Sequence, residues 1–123
     1  MVCGPILGFG NDDQKTRYLT PLASGEALGC FLLTEPHVGS DDAAIRTRAV
    51  LADDFYRLYG VKQFITTGLN DQIAIVFAVS DPTAVKKGLS AFIVPTDIPG
   101  YSVGRVEEKL GQHASDTAQI VFE

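Results

Sequence analysis

What most constrains this chain is a succession of short apolar runs, rich in β-branched and aromatic residues, each closed by turn-forming residues. Residues 29–33, 47–51, 55–65, 73–79, 89–94, 101–103 and 119–122 form the series. Ala52-Asp53-Asp54, Asp81-Pro82-Thr83, Lys86-Lys87-Gly88 and Pro99-Gly100 separate several of them. Such side chains fit a pleated, half-buried surface, and Gly, Pro and Asp mark where it turns. The Ala52-Asp53-Asp54 spacer predicts a hairpin between the runs on either side. The nearly unbroken apolar run 73–79 predicts a core strand. The fold expected is mainly β, an antiparallel β-barrel or sandwich, preceded by a short helical segment.

That helical segment has its own signals. Asn11 can cap, Asp12 and Asp13 put negative charge in the first turn, and Gln14 stands at the reciprocal capping position. Pro21 is expected to end the helix near Leu19 or Thr20. Residues 1–26 are too short for a domain of their own and read as the remnant of a helical one, with 27–123 as the β domain. The last residues, Ile120-Val121-Phe122-Glu123, would leave an apolar strand as an edge, which natural sheets avoid. A piece truncated at both ends is the expectation.

Charge narrows the function classes. Ten Lys+Arg against 15 Asp+Glu leave a net charge of −5, without the basic footprint that nucleic acid or an anionic membrane requires. No apolar run is long enough to span a bilayer, and the N-terminus lacks a signal-peptide pattern, so a cytoplasmic protein is the default expectation. Cys3 and Cys30 have no CxxC spacing and only two distant histidines, His37 and His113, for company. They read as small buried or incidental thiols, and no metal site is expected.

Two clusters concentrate chemistry-bearing groups. Thr34-Glu35-Pro36-His37-Val38-Gly39-Ser40-Asp41 follows the first strand directly. Its hydroxyls and glycine would let backbone approach a phosphate or a flat ring, although the segment taken alone reads first as a capped loop over Asp42-Ala43-Ala44. Glu35 could also pair with Asp41 or Asp42 as twin carboxylates. In the second cluster, Lys62-Gln63-Phe64-Ile65-Thr66-Thr67-Gly68, Phe64 offers an aromatic platform beside the Thr66 hydroxyl. The plain alternative is a strand running into a turn. Lys86 and Lys87 read as a solvated turn, with phosphate contact as the sharper alternative. His113, Ser115 and Asp116 have the residue types of a hydrolytic triad, but triad members come from separate elements, and no Gly-x-Ser-x-Gly occurs.

Taken together, three motifs are more specific than their parts. Phe31-Leu-Leu-Thr-Glu-Pro-His-Val-Gly-Ser-Asp41, Gly60-Val-Lys-Gln-Phe-Ile-Thr-Thr-Gly68 and Leu110-Gly-Gln-His-Ala-Ser-Asp-Thr117, in this order, resemble the acyl-CoA dehydrogenases. The likeness covers nearly the whole chain: residues 10–26 resemble the end of the family's N-terminal helical domain, and the rest its middle β-barrel domain.

The resemblance implies FAD as cofactor and acyl-CoA as substrate. Phe31, Leu33 and Thr34 would face the isoalloxazine, with Thr34 bonding its pyrimidine edge. Gly39 and Ser40 would approach the pyrophosphate, and Ser40 also the substrate's pantetheine. Phe64, where the family often has Trp, would pack on the ring system, with Ile65 beside it and Thr66 reaching flavin N5. Lys86 and Lys87 fall in a loop that varies among members. Thr67 replaces a usual Asn, and Val38 a commoner Ala. The family's catalytic base, usually a glutamate, belongs to a C-terminal helical domain, so Glu107, Glu108 and Glu123 are not expected to serve, and the chain alone should be inactive. An electron-transferring flavoprotein as acceptor and a homo-oligomeric intact enzyme are also implied. A free-standing β-barrel binding module and the middle domain of an acyl-CoA oxidase are the alternatives.

Overall fold

In the computed structural model, residues 1–84 and 88–123 are described; Lys86 and Lys87 lie outside them. Helices come first: α1 (Cys3–Phe9), α2 (Asp12–Gln14) and α3 (Thr20–Ser24). Asn11 and Gln14 form the expected reciprocal cap, with Gln14 N–H donating to Asn11 Oδ1 at 2.8 Å and Asn11 N–H to Gln14 Oε1 at 3.0 Å. Pro21 does not stop the helix. A π-helical turn, Lys15–Leu19, leads into α3, which ends at Gly25 with φ 82°. Pro21 cannot donate a hydrogen bond and would press on a preceding carbonyl. The widened turn, in which Thr20 N–H reaches back to Lys15 O, relieves that conflict just before the ring. Sequence reading missed α1 because Gly4, Pro5 and Gly8 are poor helix formers. Burial holds it instead: Val2 and Ile6 are buried against Ile75, and burying Ile6 contributes about 1.5–3 kcal/mol.

Among the described residues seven strands follow: β1 (Gly29–Leu32), β2 (Arg48–Ala52), β3 (Phe55–Thr66), β4 (Ile73–Val79), β5 (Leu89–Pro95), β6 (Tyr101–Val106) and β7 (Thr117–Phe122). They form one curled sheet of order β1-β4-β2-β3-β7-β6, with β5 on the free side of β4. The hairpin forms as expected, pairing Ala52 with Phe55, and Asp53 takes φ 54° at its tip. The sheet is not wholly antiparallel. β1 runs parallel to β4, from Gly29↔Ile73 to Leu32↔Val76, and β2 meets β4 in parallel at Arg48↔Val79. A parallel pair needs a long connection; here that connection includes the β2–β3 hairpin. β6 also runs on past the expected residue 103, to Val106.

Curling places one core inside the sheet and one outside it. Cys30, Leu32, Ile65, Ala74, Val76, Ala118, Ile120 and Phe122 pack inside. On the outer face Ile75 joins Val2 and Ile6, with Phe31, Phe77, Tyr18 and Leu22 packed around them. β4 is therefore covered on both faces, which explains why its sequence is continuously apolar rather than alternating. No helix among the described residues is long and apolar enough to cross a membrane.

Candidate functional site: two segments joined by a buried ion pair

The first motif leaves β1 and folds back at once. Glu35 and Val38 exchange N–H···O bonds of 3.0 Å in both directions, closing a tight turn with Pro36 and His37 at its tip. Val38 points inward, whereas Gly39 and Ser40 are exposed. A Cβ on Gly39 would meet nothing within 4 Å, so backbone there is open to an approaching group. A 3₁₀ turn, Asp42–Ala44, then leads back to buried Ile45 and Thr47.

Glu35, expected at most to pair with another acid, turns inward and organises the loop. Its carboxylate accepts from Arg46 N–H at 2.8 Å, Thr47 N–H at 2.9 Å, the Thr47 hydroxyl at 2.5 Å and Lys62 Nζ at 2.9 Å. His37 Nε2 stands 3.5 Å from its outer oxygen. Burial pushes the Glu35 carboxyl up, but the Thr47 hydroxyl, the Arg46 N–H and Lys62 outweigh it, and the group titrates below its ordinary range. Burial draws the Lys62 ammonium down, and Glu35 offsets only part of that. Lys62 is 0% exposed, inside a strand, with Leu33 O at 3.1 Å as its other acceptor.

The second motif is irregular where it meets the first. The β3–β7 register shifts between Lys62 and Ile65, a bulge that keeps Lys62 facing the core and sets Gln63 and Phe64 together opposite Gln119. Phe64 takes φ 58° and is 62% exposed, standing next to exposed Thr66. A bulky side chain in left-handed backbone is strained by about 1–3 kcal/mol, and such residues gather at functional sites. Among the described residues no aromatic ring pairs with Phe64. Gly60, at φ 151°, lets the strand pass close to Thr47; a Cβ there would lie 2.6 Å from Thr47 Oγ1.

The third motif braces the second. Asp116 accepts from Leu69 N–H at 2.8 Å and Asn70 Nδ2 at 2.9 Å, and its carbonyl accepts from Thr67 N–H at 3.1 Å. Gln63 donates through Nε2 to Glu107 and accepts from Gln119 Nε2 at 2.6 Å. Thr66 shares a shallow groove with Lys109, Gln112, Ser115 and Thr117. His113 meets Lys109 O while Asp116 holds the 67–70 turn, so these side chains form no triad.

The residues expected to face a ligand divide accordingly. Thr34 and Phe64–Thr66 are brought together: Gln63 N–H, next to Phe64, donates to Thr34 O at 2.9 Å. Leu33 and Thr34 are half-buried, Gly39 and Ser40 open. Phe31 packs its ring on Phe77 at 5.1 Å, on the outer face of the sheet. Ile65 is 2% exposed and packs in the inner core. Sequence reasoning left Lys62, Thr47, Gly60 and Gln63 without roles. A lysine amid Val61, Gln63, Phe64 and Ile65 was the signal for a buried pair. Two larger cavities, of about 670 and 580 Å³, lie on other faces and contain none of these groups.

The family model described as "Acyl-CoA dehydrogenase, middle domain" matches residues 30–123. An acyl-CoA dehydrogenase of Bacillus subtilis is 48% identical over 119 residues, covering 97% of this chain and 31% of the relative. The mitochondrial short-chain specific acyl-CoA dehydrogenase of Homo sapiens is 45% identical over 120 residues, covering 98% and 29%. The crystal structure of a Mycobacterium smegmatis glutaryl-CoA dehydrogenase in complex with FADH2 superposes with a TM-score of 0.91 at 38% identity, covering 100% and 31%. The chain thus spans about a third of the length of these relatives. It belongs to the acyl-CoA dehydrogenase family and carries that family's middle domain.

Proposed function

We propose that this chain supplies the flavin- and acyl-CoA-facing surface of an acyl-CoA dehydrogenase, with 1–26 the end of a helical domain and 27–123 the β domain. The observation that carries the reading is the pairing of an exposed, strained Phe64 with Thr66 on a segment bonded to Thr34. That surface fits a flat heteroaromatic group: an aromatic platform with no aromatic partner among the described residues, flanked by two threonines. FAD, when bound, supplies the acceptor for a hydride leaving the β-carbon of the acyl group.

The chain's own residues bind and orient. Phe64 offers the ring face, Thr66 a hydroxyl and an amide toward the hydride-accepting edge, and Leu33 and Thr34 the neighbouring edge. Gly39 and Ser40 offer open backbone and a hydroxyl to phosphate and pantetheine. Neither Glu35 nor Glu107 is free to serve as the α-proton base. Glu35 is committed to its four donors, and Glu107 to Gln63 and Arg105. The chain alone is accordingly inactive, and it binds FAD weakly because it covers only part of that molecule. In the whole enzyme, a homo-oligomer, electrons pass on to an electron-transferring flavoprotein.

The test is titration of the isotopically labelled chain with FAD while backbone resonances are followed. Weak, saturable shifts centred on Thr34, Phe64 and Thr66 are expected, with acyl-CoA perturbing Gly39 and Ser40. Shifts confined to other faces would overturn the assignment. Tight stoichiometric binding would overturn the claim that the surface is partial.

A further inference from the structure

β1 and β3 share no ladder of the sheet, although they pack against each other. Yet two consecutive residues of β3 grip the two consecutive residues that leave β1. Lys62 Nζ donates to Leu33 O at 3.1 Å, and Gln63 N–H donates to Thr34 O at 2.9 Å. Glu35, next along the chain, holds Lys62 at 2.9 Å and is itself tied to Arg46 and Thr47 at the loop's return. Lys62 is fully buried and Glu35 is 3% exposed, so neither can touch a ligand bound outside.

Buried ion pairs add little net stability compared with apolar packing, because desolvating two charges offsets their attraction. What such a pair does supply is geometry, since it is satisfied at one separation only. We propose that Lys62 and Glu35 are positioning residues that hold Thr34 at a fixed distance from Phe64–Thr66 and thereby set flavin affinity. This rests on the flavin-facing reading above. Lys62 acts from inside the barrel, through Leu33 and the bulge, on side chains that point out of it.

The experiment compares the wild-type chain with Lys62→Met, which keeps most of the length and an apolar stem but loses the charge. Two quantities are read: the FAD dissociation constant, and amide exchange at Gln63 relative to Val76 in the inner core. Positioning predicts FAD binding at least tenfold weaker and Gln63 exchange quickened at least tenfold more than that of Val76, whose rate follows only the global loss of stability. A merely structural pair would speed both amides equally. Unchanged affinity together with an unchanged Gln63-to-Val76 ratio overturns the inference. Wild-type chain that takes up no FAD would instead sink the flavin reading, and the exchange ratio alone would then decide whether the pair positions Thr34. Glu35→Asp, which keeps the carboxylate but withdraws it from Lys62, decides the matter if Lys62→Met does not fold. It is expected to weaken FAD binding and raise the exchange ratio in the same sense.

Discussion

Removing either member of the Lys62–Glu35 pair should destabilise the chain, but by different amounts and with opposite responses to pH. Glu35→Gln leaves an ammonium that is 0% exposed with one neutral carbonyl, Leu33 O, and whatever oxygen the new amide can offer. The amide must also put its NH₂ where an oxygen stood, facing Arg46 N–H on one side or Thr47 and Lys62 on the other. An uncompensated buried charge of this kind costs about 3–5 kcal/mol. Lys62→Met leaves a carboxylate that still accepts from Arg46 N–H, Thr47 N–H and the Thr47 hydroxyl. It loses one charged hydrogen bond and gains apolar contact, for a net cost of about 1–3 kcal/mol.

The signs with pH follow from linkage. In Glu35→Gln the native lysine titrates further below its unfolded value of about 10.4, so above the native value the unfolded state binds more protons and stability rises with pH by ~1.4 kcal/mol per unit. In the wild type, Glu35 titrates below its ordinary range, a stability present above an unfolded pKa of about 4.3 and lost as pH falls through the native value. Lys62→Met lacks part of that stability, so its deficit shrinks in acid. Urea denaturation of the three chains from pH 2 to 10 reads both effects. Equal destabilisation by the two variants, or deficits that ignore pH, would refute this account of the pair.

Three further outcomes are expected. Gly60→Ala should cost about 2–4 kcal/mol by urea denaturation, because its methyl would press on Thr47, whose hydroxyl and N–H both serve Glu35; a cost under 1 kcal/mol would show that β3 can move aside. Asp71 sits between the Cys30 thiol at 2.6 Å and the Tyr101 hydroxyl at 2.8 Å, and burial, outweighing those two bonds, raises its carboxyl above the ordinary range. Native Asp71 therefore holds its proton more tightly than unfolded Asp71, and between the two values stability falls as pH rises. Asp71→Asn should flatten that slope in pH-dependent denaturation. Asp116→Ala should release the 67–70 turn, seen as faster amide exchange at Leu69, with a loss of about 1–2 kcal/mol.

The strands were legible in sequence because their punctuation is chemical. Asp53-Asp54 and Pro99-Gly100 can hardly do anything but turn, and 73–79 could hardly be anything but a buried strand. The three motifs likewise identified the family, since their order and content survive without coordinates. Local signals could not show which strands become neighbours. The parallel β1–β4 pair joins residues more than forty positions apart, and α1 exists only because Ile75 lies beneath Val2 and Ile6. The site divides the same way. Phe64 and Thr66 were readable as an aromatic and a hydroxyl in one motif. That Phe64 turns outward through a left-handed residue, while Lys62 turns inward to meet Glu35, depends on a bulge that strict alternation forbids. Residue types alone determined which chemistry the chain can present. The tertiary structure decided which of those groups face out, because burying a charge requires a partner that only the folded chain brings within 2.9 Å.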